Sequence, residues 1–112
     1  MSYNAVAYTI SQTQIFCVWL HKVRDKTAQA RIVARIRNAE AGNLGDSQAV
    51  GEGVSEMRVH VGAGYRVYCT MAGKTIILLL VGGDKFTQQS DIKRAINMAR
   101  QLKQRGSDED KQ

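Results

Sequence analysis

The segment "VSEMRVHVGAGYRVYCTMAGKTIILLLVGGDK", residues 54–85, decides how this chain folds. Within it, "MRVHV" (57–61) alternates Met57, Val59 and Val61 with Arg58 and His60, and "YRVYC" (65–69) alternates Tyr65, Val67 and Cys69 with Arg66 and Tyr68. A period of two is the mark of strands with one buried face. The "GAG" between them predicts a three-residue hairpin connection, glycine being free to take positive φ. If Val61 pairs with Tyr65, then His60 faces Arg66, Val59 faces Val67, Arg58 faces Tyr68 and Met57 faces Cys69. The apolar set then fills one face, and the polar set converges on the other with paired Cβ atoms about 5 Å apart. "TIILLLV" (75–81) is continuously apolar, as a strand buried on both faces is. Gly73 marks the tight turn before it, and "GGDK" ends it with Lys85 just beyond.

Working outward, "AVAYTI" (5–10) reads as a first strand. "SQTQIFCVWLHKV" (11–23) reads as a helix, with Ser11 and Gln14 at capping-box spacing and Ile15 or Phe16, Trp19, Leu20 and Val23 on its apolar side. Thr27 is placed to cap a second helix running to about Ala41, with Gly42 just past its end. Ile32, Val33, Ile36 and Ala39 form that helix's buried stripe. The short link predicts an antiparallel helical hairpin. Arg24, Arg31 and Arg35 line up on another side, either as a solvated face or as a contact for nucleic acid or an acidic partner. "AGNLGDSQAVGEGV" (41–54) is a connector with a short strand around Gln48–Val50. The last helix spans about Gln88 to Lys103, burying Ile92, Ala95, Ile96, Ala99 and Leu102, with Asp91 suited to its positive N-terminal end. The order predicts an α+β domain: an N-terminal strand, a two-helix hairpin, then a mostly antiparallel sheet and a C-terminal helix. The helices are expected against one sheet face, leaving Arg58, His60, Arg66 and Tyr68 on an open one.

The chain has 112 residues, 44% apolar and 23% charged, which bounds it to one ordinary globular domain, taken as residues 1–105. Residues 106–112 are expected to be a disordered polar tail. No run of about 18 apolar residues predicts a membrane span. The N-terminus lacks a secretory pattern, so the cytoplasm is the expected compartment. Cys17 and Cys69 read as separate buried thiols in a reducing compartment. With only His21 and His60 besides, neither a metal site nor a cofactor is expected. Net charge is +6; "SDEDKQ" at the C-terminus carries three acids and one base, so the rest carries +8. A basic body points to an anionic partner such as nucleic acid, an acidic protein segment or a membrane surface, or to solubility alone.

The residue types on the polar face suggest what such a partner would meet. Arginine beside histidine favours the neutral imidazole, and an anion between them relieves the repulsion. A phosphodiester fits, because each guanidinium can grip two oxygens. In RNA the 2′-hydroxyl is a built-in nucleophile. His60 then has a proton-transfer role, Arg66 and Lys85 stabilise charge on the phosphate, Arg58 grips RNA, and Tyr68 stacks on a base or donates a hydrogen bond. Arg31 and Arg35 extend the binding surface along the second helix. Each also has an ordinary structural reading: Arg58 paired with Glu52 or Glu56, His60 a surface histidine, Tyr68 a cover for the sheet.

The segments "FCVWLHKVRD" (16–25), "RIVARIRNAEAGNLGD" (31–46), "GEGVSEMRVHVGAGYRVY" (51–68) and "LLLVGGDKFTQQSDIKRA" (78–95) cover nearly the whole chain in order. Together they resemble the RelE/ParE superfamily of toxins from bacterial toxin–antitoxin modules, and most of all its HigB-like, phage-related addiction module killer proteins. The resemblance implies a RelE-like microbial RNase fold, a cognate antitoxin forming a hetero-oligomer with this chain, and metal-independent cleavage of mRNA on the ribosome by basic side chains. The arginine after Gly-Tyr corresponds to Arg66, and the basic residue after the last strand to Lys85. The superfamily's Glu-Leu-Arg segment stands here as Glu56-Met57-Arg58. The C-terminal tyrosine or histidine of some relatives has no counterpart in "FTQQSDIKRAINMARQLKQRG" (86–106), which leaves His60 as the local substitute for a general acid. ParE-type gyrase poisons share the fold without the nuclease site, and a non-catalytic nucleic-acid- or protein-binding relative is a third reading. The Arg58–His60–Arg66–Tyr68–Lys85 set favours the nuclease.

Overall fold

The computed structural model of the chain describes residues 7–110, with side chains as far as Arg105. Its elements are β1 (Thr9–Gln12), α1 (Gln14–Lys22), α2 (Lys26–Glu40), β2 (Ser47–Gly51), β3 (Val54–Val59), β4 (Tyr65–Ala72), β5 (Ile76–Gly83) and α3 (Gln88–Asp110). The sheet runs in the order β1-β5-β4-β3-β2. β1 lies parallel to β5, and every other pair is antiparallel. This is the expected α+β, RelE-like arrangement. β1 starts later than the sequence suggests, and residues 5 and 6 of the predicted strand lie outside the described residues. α3 carries helical backbone into the segment read as a tail, of which residues 111 and 112 lie outside the described residues.

The helix starts differ from the capping-box and Thr27 expectations by two residues each. Thr13 caps α1, its hydroxyl accepting from the Phe16 N–H at 3.0 Å and donating to the Leu80 carbonyl at 2.7 Å. Asp25 caps α2 by accepting from the Ala28 N–H at 3.1 Å. In both cases a short polar side chain satisfies a first-turn N–H that the helix itself cannot. Thr13 wins over Ser11 because β1 extends to Gln12 and holds Ser11 in the sheet, opposite Leu78.

The expectation of helices on one face is corrected. Phe16, Val23, Ala28, Ile32 and Ala39 of α1 and α2 and the turn between them pack with Met57, Val59, Val67, Cys69, Ile77 and Leu79. Ala95 and Ala99 of α3 pack with Val54, Tyr68, Leu80 and Val81 on the opposite face. The continuously apolar β5 is what this double cover requires. A bulge in β5, where Tyr68 pairs with Val81 but Cys69 with Leu79, turns Leu80 and Val81 together toward α3. The next two residues are glycines for steric reasons. A Cβ on Gly82 would sit 2.2 Å from the Trp19 ring, and one on Gly83 would sit 1.8 Å from Asp91 Oδ2. The "GGDK" motif is therefore where α1 and α3 both close onto the end of β5.

The β3–β4 register also departs from expectation. Tyr65 pairs with Val59, not Val61, so Arg58 opposes Arg66 and Glu56 opposes Tyr68. The connection is five residues, 60–64, closed by Val61 N–H to Val59 O at 2.9 Å and Gly64 N–H to Val61 O at 3.1 Å. Gly62 and Gly64 both take positive φ there, and Gly62 packs against Asp25 and Tyr65. A shift of two residues keeps every side chain on its predicted face while changing its partner.

Candidate functional site

Two arginines directly across a ladder repel each other, so the Arg58–Arg66 pairing needs a countercharge. Glu56 supplies it. Its side chain is 1% exposed, and it lies two residues from Arg58 on the same face. Its carboxylate accepts from Arg58 Nε at 3.1 Å, from the Tyr68 hydroxyl at 2.8 Å and from Gln88 Nε2 at 2.9 Å, and stands 3.6 Å from Arg66 Nε. Burial disfavours the charged form, but the hydrogen bonds from Gln88, Tyr68 and Arg58 and the charge of Arg66 outweigh it. The Glu56 pKa therefore falls below the ordinary carboxylate value. Burial, reinforced by Glu56, pushes the Tyr68 phenol far up, so it stays a donor.

Arg66 is held from two sides. Its Nη1 donates to the Gly64 carbonyl at 2.8 Å, and its side chain is 16% exposed. Its Nε is buried and has no hydrogen-bond partner among the described residues. Arg58 also donates to Gln48 Oε1 on β2. Lys85 enters from the far side of Gly64: a Cβ on Gly64 would lie 3.6 Å from Arg66 Nη1 and 3.6 Å from the Lys85 stem. The Lys85 N–H reaches the Ala63 carbonyl at 3.5 Å, joining the two loops. The turn beyond is fixed by the Asp84 carboxylate, which accepts from the N–H groups of Phe86 at 2.8 Å and Thr87 at 3.2 Å. Arg58 and Arg66 thus share one buried carboxylate, and Lys85 stands beside Gly64 next to Arg66, so three positive side chains meet one negative.

The other sequence-predicted residues lie elsewhere or serve otherwise. Tyr68 shares the face but is fully buried, so it props up Glu56 and offers no ring to a base. That role was drawn from an open face, which α3 covers. His60 falls outside β3, does not oppose Arg66, and pairs with Asp46 while standing largely exposed. This hydrogen bond, with the charges around it, holds the Asp46 carboxyl below its usual range. Arg35 spends its guanidinium on three backbone carbonyls, those of Arg58, Leu44 at 2.6 Å and Asp46 at 3.1 Å, and so clamps the 44–46 loop to β3. Arg31 is exposed on α2, where it lines a groove with Lys26, Ala30, Ala34, Val59 and His60. Glu56 and Gln88 are the residues that sequence reasoning undervalued. Glu56 read as a possible partner for Arg58, and its place two residues before Arg58, in the Glu56-Met57-Arg58 segment, was the signal for more.

Among the described residues, no three His, Cys, Asp or Glu side chains come together as metal ligands, and no helix is long and apolar enough to cross a membrane. What the cluster offers is preorganised cationic N–H donors, which suit a phosphate or another oxyanion.

Residues 19–104 match the family described as Phage derived protein Gp49-like (DUF891). An uncharacterized protein of Haemophilus influenzae is 43% identical over 93 residues, covering 83% of this chain and 94% of its own length. The family match runs from within α1 through α2, β2 to β5 and the "GGDK" turn into α3, and the chain belongs to the Gp49-like phage-derived protein family.

Proposed function

We propose that this chain is the toxin of a type II toxin–antitoxin module and that it cleaves mRNA on the ribosome, using basic side chains and no metal. The Gp49-like family is associated with toxins of such modules, and an antitoxin partner follows from that association. The observation that carries the nuclease reading is the buried Glu56 carboxylate holding two opposed arginines beside Lys85. The carboxylate holds both guanidiniums in one geometry, the preorganisation that stabilising charge on a phosphate requires.

In this reading the RNA 2′-hydroxyl attacks the adjacent phosphorus, its proton passing to solvent water, and the P–O5′ bond breaks, giving a 2′,3′-cyclic phosphate and a free 5′-hydroxyl. Arg66, with its guanidinium fixed by Gly64 and Glu56, stabilises the charge that builds on the phosphate oxygens. Arg58 grips a neighbouring phosphate. Lys85, exposed at the rim, neutralises the departing 5′-oxygen and can give it a proton. His60 is engaged with Asp46 on the α2 side, which moves the proton-donor role from it to Lys85. The test is mRNA cleavage in a reconstituted translation reaction, mapped by primer extension with and without ribosomes. Ribosome-dependent cuts that vanish in Arg66→Ala support the reading. Intact mRNA with the wild-type protein sinks it.

A further inference from the structure

Among the described residues, one aromatic ring stands out where the fold has no use for it. Phe86 is 79% exposed, against 46% for Met71, the next of the large exposed apolar residues. It sits in the turn between β5 and α3, immediately after Lys85. The turn is anchored at its base: Asp84 accepts from the Phe86 and Thr87 N–H groups, and the Thr87 hydroxyl donates to Asp91 at the start of α3. A phenylalanine held out on an anchored turn gains almost nothing from folding, because its ring stays in water. Its neighbour gives it a context. Lys85 Nζ lies 5.3 Å from the ring centroid, and Lys85 borders Gly64 and Arg66.

We propose that Phe86 is the nucleobase platform of this site, the ring on which a single-stranded RNA base stacks while Lys85 and Arg66 hold the adjoining phosphate. The assignment rests on the nuclease reading and adds to it the residue that meets the base. An aromatic face and a cation side by side match the two halves of a nucleotide, an apolar π-surface and an anion. The sequence placed this role on Tyr68, but the buried Tyr68 ring cannot receive a base. Because every base has a π-face, the platform favours an unstacked nucleotide over a particular letter.

A cycle between side chain and base tests this. A short RNA with 2′-O-methyl groups, which block cleavage, is presented free and loaded on ribosomes, with a normal base or an abasic ribose at each position in turn. Binding is measured for wild type, Phe86→Ala and Phe86→Trp. Phe86→Ala is expected to weaken binding about 5- to 100-fold without changing its salt dependence, and Phe86→Trp to keep it. At one position the abasic substitution should weaken the wild type and leave Phe86→Ala unaffected. If wild type binds the RNA and Phe86→Ala binds equally well, the assignment falls while the nuclease reading stands. That result, joined to weaker binding of the purified antitoxin, would make Phe86 part of the protein interface instead. If wild type binds neither form of the RNA, the whole reading of the patch falls, and the platform with it.

Discussion

Two groups of basic residues flank the sheet, and they have different fates. On the α3 side, Arg58 and Arg66 share a buried carboxylate, and the exposed Lys85 stands beside Gly64 next to them. On the α2 side, Arg35 is consumed by three backbone carbonyls, His60 is taken by Asp46, and Arg31 stands alone on the helix surface. Net charge treats the two groups alike. The difference is where the countercharge sits. A buried anion fixes the guanidiniums above it without cancelling them, whereas carbonyls and an exposed aspartate absorb the donors outright.

The sharpest way to break this contrast is at Arg66. Arg66→Ala should lower the mRNA cleavage rate about 10²- to 10³-fold, the range for losing one fixed donor to a charged transition state. Arg66→Lys should recover only part of that, because an ammonium keeps the charge and loses the planar fork. Full activity in the alanine variant would place the chemistry elsewhere.

Glu56 tests the foundation of the same group. Glu56→Gln leaves Arg66 above an uncharged amide and should cost about 3 kcal/mol of stability, read from urea or thermal unfolding. The pH profile separates charge from packing. The pKa of Glu56 is 4.5 unfolded and lower folded, so its contribution is complete above about pH 4.5 and fades as pH falls through the folded value. Wild type should therefore lose stability on acidification below that point more steeply than Glu56→Gln. Parallel acid limbs would mean that Glu56 acts by shape alone.

These expectations also mark what the sequence could tell. Period-two alternation was enough to assign faces: Met57, Val59 and Val67 are buried against α1 and α2, as expected, while Arg58 and Arg66 share the other face. Alternation cannot fix register, because a shift of two preserves every face. The pairing goes with the five-residue loop 60–64, whose Gly62 and Gly64 take positive φ, and a side chain at Gly62 would run into Asp25, which is distant in sequence. Nor does alternation say which face is open. Tyr68 was misread for that reason: α3 returns over it, and the stripe that buries α3 looks the same whichever side it joins. The "GGDK" motif was legible as a strand end, but the collisions with Trp19 and Asp91 that demand its glycines are tertiary.

The α2 side should respond by unfolding more easily, not by losing chemistry. Arg35→Ala strips donors from the carbonyls of Leu44, Asp46 and Arg58 and should cost about 2 kcal/mol, the scale for charge-assisted hydrogen bonds. Measured well below its unfolding midpoint, the variant should cleave mRNA within about threefold of wild type, as nothing in its clamp touches the reacting phosphate. A loss as deep as that of Arg66→Ala in a folded protein would erase the distinction between the two groups.

The smallest effect belongs to Arg31, and it is the one that delimits the RNA path. The Arg31 side chain makes no hydrogen bond or ion pair among the described residues and borders an open groove of about 810 Å³ between α2 and the end of β3. If RNA is confined to the α3 side, Arg31→Ala changes stability by less than about 0.5 kcal/mol, the usual range for an unengaged surface residue. Cleavage should then stay within about twofold, with an unchanged salt slope. If RNA instead continues along α2, the same variant loses one phosphate contact, and the slope of log affinity against log salt becomes shallower by nearly one, wherever the chemistry occurs. A single titration with salt thus decides whether the two faces act separately or the strand passes from one to the other around the end of β3.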